Sequence, residues 1–121
     1  MIMNEAVMST EKRQSPRVKT SIPVRYKELQ DGAETVAVGS LTSDMSTGGL
    51  RFGTNKLVST ACRLIVELDI PTLTKPIKAL SKVAWIQKAD AGDDHQYQVG
   101  SQFMEITKKD QELIATYLKS L

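Results

Sequence analysis

Leu64, Val66, Leu68 and Ile70 alternate with Arg63, Ile65, Glu67 and Asp69. A period of two sends alternate side chains to opposite faces, so the segment reads as a strand with one side buried. The same period returns in Ile22, Val24 and Tyr26 against Pro23, Arg25 and Lys27, in Ile77, Ala79, Ser81, Val83 and Trp85, and in Tyr97, Val99, Ser101, Phe103 and Glu105. Leu80, Ala84 and Ile86 put a second apolar phase on the third of these runs, which predicts partial cover on its outer side. Two shorter runs complete a set of six strands: residues 35–43, with Val36, Val38 and Leu41 inward and Gly39 at a bulge, and residues 50–53, with Leu50 and Phe52 on one face. At the end, Leu113, Ile114, Tyr117, Leu118 and Leu121 fall on one helical stripe behind Thr107-x-x-Asp110, a capping pattern. The predicted class is mainly β: a six-stranded antiparallel barrel or half-barrel, flanked by a C-terminal α-helix.

A chain of 121 residues can bury one core without disulfides or a structural metal. Cys62 is the sole cysteine and reads as buried packing, while His95, the sole histidine, lies in Ala91-Gly92-Asp93-Asp94-His95, an expected exposed hairpin loop. The net charge of +2 is too small for a protein built mainly to neutralise a polyanionic backbone. Clustering matters more: residues 12–27 hold Lys12, Arg13, Arg17, Lys19, Arg25 and Lys27 and no acid, a field that attracts a small anion. Residues 1 to about 20 show neither period and contain Pro16, so they read as an arm that is mobile without a ligand. Residues 1–11 are assigned to a flexible N-terminal arm and 12–121 to the domain. No stretch approaches a membrane span, and the expected location is the cytoplasm.

Asp44-Met45-Ser46-Thr47-Gly48-Gly49 reads as a tight turn between two strands, because glycine tolerates positive φ while Asp and Ser bond nearby backbone. Upstream stand Arg13 and Arg17, four apart. Two arginines in that spacing, followed by Asp-x-Ser-x-x-Gly, resemble the paired signature of the PilZ domain family over about residues 12–118. Gly49-Leu50-Arg51-Phe52, Val83-Ala84-Trp85, Val99-Gly100-Ser101-Gln102-Phe103 and the terminal helix follow in matching order. The resemblance implies a PilZ-type β-barrel that binds cyclic di-GMP, a bacterial second messenger, on its outer surface. It implies ligand contacts at Arg13, Arg17, Asp44, Ser46 and Gly49, with Lys12, Gly48 and Trp85 as secondary contacts.

The residue types suit that ligand. An arginine fork matches the O6 and N7 acceptors of guanine, or a phosphate, and its flat cation can stack on a purine. A carboxylate accepts only, so Asp44 suits the N1 and N2 donors. Ser46 can reach the ligand or fix the turn, and Gly48 and Gly49 let backbone approach a purine. Trp85 shares a phase with Val83, which predicts a core position, with stacking on a base as the alternative. The expected role is a receptor with no cofactor and no metal, relaying the messenger to an unidentified protein by ordering of the arm. Catalysis is not expected, since phosphodiester hydrolysis needs metal ligands or an activated nucleophile. Two rivals keep a β-barrel: an adaptor of the same family that binds no ligand, and a binder of single-stranded nucleic acid. The second wants exposed aromatics along a basic groove, and Phe52, Phe103 and Trp85 all fall on apolar phases.

Overall fold

The computed structural model describes residues 17–30, 33–34 and 37–121, with side chains at 17–29 and 37–121. The elements are β1 (Val18–Lys19), β2 (Pro23–Gln30), β3 (Ala33–Glu34), β4 (Val38–Ser46), β5 (Gly49–Thr54), β6 (Arg63–Leu68), β7 (Ile77–Lys88), β8 (Tyr97–Glu105) and α1 (Lys108–Lys119). They pair antiparallel in the order β1-β4-β5-β8-β7-β6-β2-β3. Because β2 also pairs with β4, from Pro23↔Leu41 to Tyr26↔Val38, the six long strands close into a barrel without a free edge among them. The short β1 extends the line of β2 along β4, in the register Val18↔Met45 and Lys19↔Asp44.

The period-two residues form the core. Val24, Tyr26, Leu50, Phe52, Leu64, Val66, Leu68, Ile70 and Val99 are all at most 2% exposed. Each large side chain among them contributes about 1.5–3 kcal/mol of burial. The Tyr26 and Phe52 rings meet at 4.9 Å, and the Tyr26 hydroxyl shares a 2.7 Å hydrogen bond with Thr54. Tyr26 continues inward to Glu28, at the end of the barrel away from the β4–β5 hairpin. There Lys56 Nζ lies 2.8 Å from Glu28 Oε2, and the Cys62 thiol donates to Glu28 Oε1 at 3.6 Å. Burial and then the Glu28 carboxylate push the Cys62 thiol up, so this half-buried cysteine stays protonated.

Three bulges separate the structure from the expected pattern. In β4, Thr42 pairs with Phe52 and Asp44 with Arg51, so Ser43 is the extra residue and the bulge is not at Gly39. Thr42 then points inward, where its hydroxyl accepts from Ile22 N at 2.9 Å, and Leu41 is left outside at 48% exposure. In β7, Val83 pairs with Ser101 and Trp85 with Gly100, which makes Ala84 the extra residue. In β8, the step from Ser81↔Phe103 to Leu80↔Glu105 leaves Met104 over. Of the second apolar phase of β7, Leu80 is half-buried and Ala84 exposed, whereas Ile86, beyond the Ala84 bulge, packs against the core. Val36 lies outside the described residues.

α1 begins as expected, with the Thr107 hydroxyl accepting from Asp110 N at 3.0 Å. Ile114 enters the core, and Leu113, Tyr117 and Leu118 pack against it. Leu121 lies beyond the last turn, 61% exposed, and does not belong to the buried stripe. Gln111 Nε2 donates to the Thr47 carbonyl at 3.1 Å, which ties the helix to the β4–β5 hairpin. No helix among the described residues is long and apolar enough to cross a membrane.

Candidate functional site

The Ser43 bulge decides which way Asp44 points. With Thr42 inward, strict alternation would carry Asp44 inward and Met45 outward. The extra residue reverses the phase, so Met45 is fully buried and Asp44 emerges on the outer wall, its side chain 14% exposed. Asp44 is therefore a strand residue, as is Ser46, and the turn itself is only Thr47 and Gly48, since Ser46 already pairs with Gly49. Arg17 stands just before β1, and the pairing of Lys19 with Asp44 brings it alongside. Its Nε donates to Asp44 Oδ1 at 2.7 Å. A second arginine arrives from β5: Leu50 and Phe52 face the core, Arg51 between them faces out, and its Nε lies 2.8 Å from Asp44 Oδ2. That N–H is shielded from solvent and not aimed along the line to the oxygen, so the second contact is a charge pair more than a directed hydrogen bond.

One carboxylate thus lies between two guanidiniums, which leaves a net positive charge. Both are held through Nε, and among the described residues neither gives its terminal nitrogens to another ion pair or hydrogen bond. The two side chains are 48% and 35% exposed, so those nitrogens are available to an anion or a base edge.

Beside them the Ala84 bulge performs the same reversal for Trp85. Val83 is buried and Trp85, two residues on, is 38% exposed; the expectation of a core position is wrong because the phase does not run through the bulge. The indole lies across Gly100, where any Cβ would run into the ring. Gly100 is in turn opposite Arg51 on β5, so indole, glycine and arginine lie in one row across three strands. Arg17, Asp44, Arg51, Trp85 and Gly100 line a cleft of about 480 Å³, within the range of small-molecule sites. A smaller polar hollow, bounded by Ser43, Lys88 and Gln98, meets it at Arg51. On that side Asp93 accepts from His95 N at 2.8 Å, a bond that holds its carboxyl below the usual carboxylate range. Residues 91–94 form the expected exposed loop, while His95 at its end is half-buried, its imidazole covering Gly53.

The rest of the motif builds the corner. Ser46 is 2% exposed, and its hydroxyl accepts from Gly48 N at 3.1 Å, so it closes the turn. Gly48 and Gly49 are not in the left-handed region, against the expectation that positive φ explains them. Gly49 is needed for space, since a Cβ would strike the Ser101 carbonyl of β8, whereas one at Gly48 would meet only the Ser46 hydroxyl at 3.7 Å. Of the motif residues, Arg17 and Asp44 touch, with Trp85 on the same wall; Lys12 and Arg13 lie outside the described residues. Arg51 was not singled out in sequence, although its outward parity beside Leu50 and Phe52 was a usable signal. Exposure of Trp85 also removes one argument against a nucleic-acid strand, while Phe52 remains fully buried.

The sequence matches the PilZ domain family over residues 11–120. No functionally curated protein matches it. Among solved structures, the fold is similar to that of the Bacillus subtilis inhibitor of motility MotI/DgrA, with a TM-score of 0.72 at 16% identity over 89% of this chain and 50% of that one. The chain thus spans half the length of that protein. It is similar to the PilZ domain of YcgR from Escherichia coli, solved with c-di-GMP, with a TM-score of 0.66 at 14% identity over 91% of each chain. A third similar structure is the PilZ domain of CeSA from a cellulose-synthesizing bacterium, with a TM-score of 0.60 at 15% identity over 88% of this chain and 97% of that one.

Proposed function

The chain belongs to the PilZ domain family, and we propose on that footing that it is a receptor for cyclic di-GMP, bound on the outer wall of the barrel in the cleft between Arg17 and Trp85. The observation that carries this reading is Asp44 held between two Nε atoms, with four terminal guanidinium nitrogens left over, beside the open face of an indole. The ligand has two anionic phosphodiesters and two guanines, and each feature of the cleft suits one of them. Trp85 offers a stacking face, a contact worth about 1–3 kcal/mol per base. Asp44 has further lone pairs beyond those facing the arginines, so one oxygen can also accept from guanine N1 or N2. Arg17, joined by Arg13, supplies forks for phosphate or for the O6 and N7 edge. Ser46, Gly48 and Gly49 act by holding the corner that carries Asp44, and Lys12 adds positive charge to the basic run that leads to Arg17. The protein senses the messenger and does not transform it.

Relay to a partner protein follows from the division of the arginines. Arg17 lies against the barrel through Asp44, and a ligand that also takes Arg13 ties the residues before Arg17 to the same wall. Drawing residues 9–16 onto the wall presents a new surface, and the ordering cost is subtracted from affinity. Calorimetry with cyclic di-GMP, run beside fluorescence of the sole tryptophan, tests the receptor role. Saturable heat with a changed Trp85 emission is expected, and no heat with no emission change at high ligand concentration would overturn the receptor role and leave the adaptor and nucleic-acid readings. Hydrogen exchange over residues 9–20 tests the relay, where unchanged protection at saturation would remove it.

A further inference from the structure

We propose that Arg51 is a ligand-binding residue in its own right and reads the O6 and N7 edge of the guanine that stacks on Trp85. The inference rests on the receptor reading above and adds a contact that lies in neither sequence motif. Arg51 is directly opposite Gly100, and Gly100 is opposite Trp85, so a base lying on the indole turns one edge toward β5, where Arg51 rises. The stem of Arg51 springs from a strand with Leu50 and Phe52 fully buried on either side, and its Nε is held by Asp44 Oδ2 at 2.8 Å. The base of the fork is therefore set before ligand arrives, while the side chain remains 35% exposed. A fork so placed loses little conformational freedom on binding, and two parallel N–H groups match the two acceptors on that edge of guanine. An adenine edge offers a donor beside N7 and would be refused. Arg17, on the other oxygen of Asp44, is then left for a phosphate.

The test is a cycle of two changes, one in the protein and one in the ligand. Affinities of wild type, Arg51→Ala and Arg51→Lys are measured by calorimetry for cyclic di-GMP and for its analogue with guanine N7 replaced by a C–H group. Wild type should bind the messenger and lose roughly tenfold on the analogue, and Arg51→Ala should bind the messenger roughly ten- to a hundredfold more weakly. In the variant most of the analogue's penalty should vanish, because the group that sensed N7 is gone. Arg51→Lys keeps a cation beside Asp44 but has no planar fork, so it should bind more weakly with a smaller penalty on the analogue than wild type, which covers the case in which the alanine variant does not fold. Unchanged affinity in either folded variant would overturn the proposal. So would weakened binding with the analogue's penalty intact, since Arg51 would then act only by holding Asp44. Should wild type itself fail to bind the messenger, the receptor reading falls and this contact falls with it.

Discussion

Two ion clusters stand on the outer wall of the barrel with opposite stoichiometry. In one, Arg25 meets two acids: Nε donates to Glu67 Oε1 at 3.2 Å, Nη1 to Asp69 Oδ2 at 2.6 Å and Nη2 to Asp69 Oδ1 at 3.3 Å. All three nitrogens are occupied and the excess charge is negative. In the other, Asp44 meets Arg17 and Arg51 through one nitrogen each, and the excess charge is positive. The first is closed to an anion, whereas the second keeps forks in reserve. Ion pairs do not by themselves mark a site, since exposed pairs contribute little to stability. What separates the two clusters is spare donor capacity beside an aromatic face.

Changes at Asp44 test that contrast most severely. Asp44→Asn keeps the shape but releases both guanidiniums, and affinity for cyclic di-GMP should fall by about 2–5 kcal/mol in calorimetry. The melting temperature should fall only modestly, because the terminal nitrogens of both arginines stay exposed while the shielded Arg51 Nε loses its counter-charge. Arg17→Lys keeps the charge and loses the fork, with an expected loss of about 1–3 kcal/mol in the same titration. An equal affinity for the lysine variant would reduce Arg17 to a point charge.

The closed cluster should be silent toward ligand. Arg25→Ala is expected to leave the affinity unchanged and to lower thermal stability slightly. The hydrogen bond from Arg25 holds the Asp69 carboxyl below its ordinary value of 3.8. A depressed carboxylate stabilises the fold above that ordinary value, and the contribution is lost as pH falls through the lowered one. Thermal melts of wild type and Arg25→Ala should therefore differ by a constant amount from neutrality down to about pH 4 and converge below it. The smallest effect belongs to Lys19→Ala: its exposed charge lies in the same basic run, and screening should keep its influence on affinity within about twofold.

Much of the barrel was legible in the chain because burial imposes its period on long strands. The alternation of Leu64, Val66, Leu68 and Ile70 is the buried face of β6 and the first turn beyond it, and Leu50 with Phe52 is that of β5. The Thr107 cap and the Leu113 to Leu118 stripe were readable for the same reason at the helical period. The candidate site was legible in part: Arg17 and Asp44 were marked by their motifs, whereas Arg51 carried no mark beyond its parity. Leu41 and Trp85 face outward against expectation for opposite reasons: the bulge expected at Gly39 comes only at Ser43, so the phase runs unbroken through Leu41, whereas the unexpected bulge at Ala84 reverses the phase just before Trp85.

The amino-acid sequence determined the six long strands and the helix, since these depend on local period and on residue type, whereas β1, in residues read as arm, forms only through its pairing with β4. Tertiary structure alone decided which face Asp44 and Trp85 occupy. A single extra residue inverts every side chain that follows it in a strand, and whether the extra residue is accommodated depends on the register of the neighbouring strands. The bulges at Ser43 and Ala84 turn an acid and an indole out of the barrel onto one wall, and pairing across β5, β8 and β7 sets Arg51 and Gly100 between them.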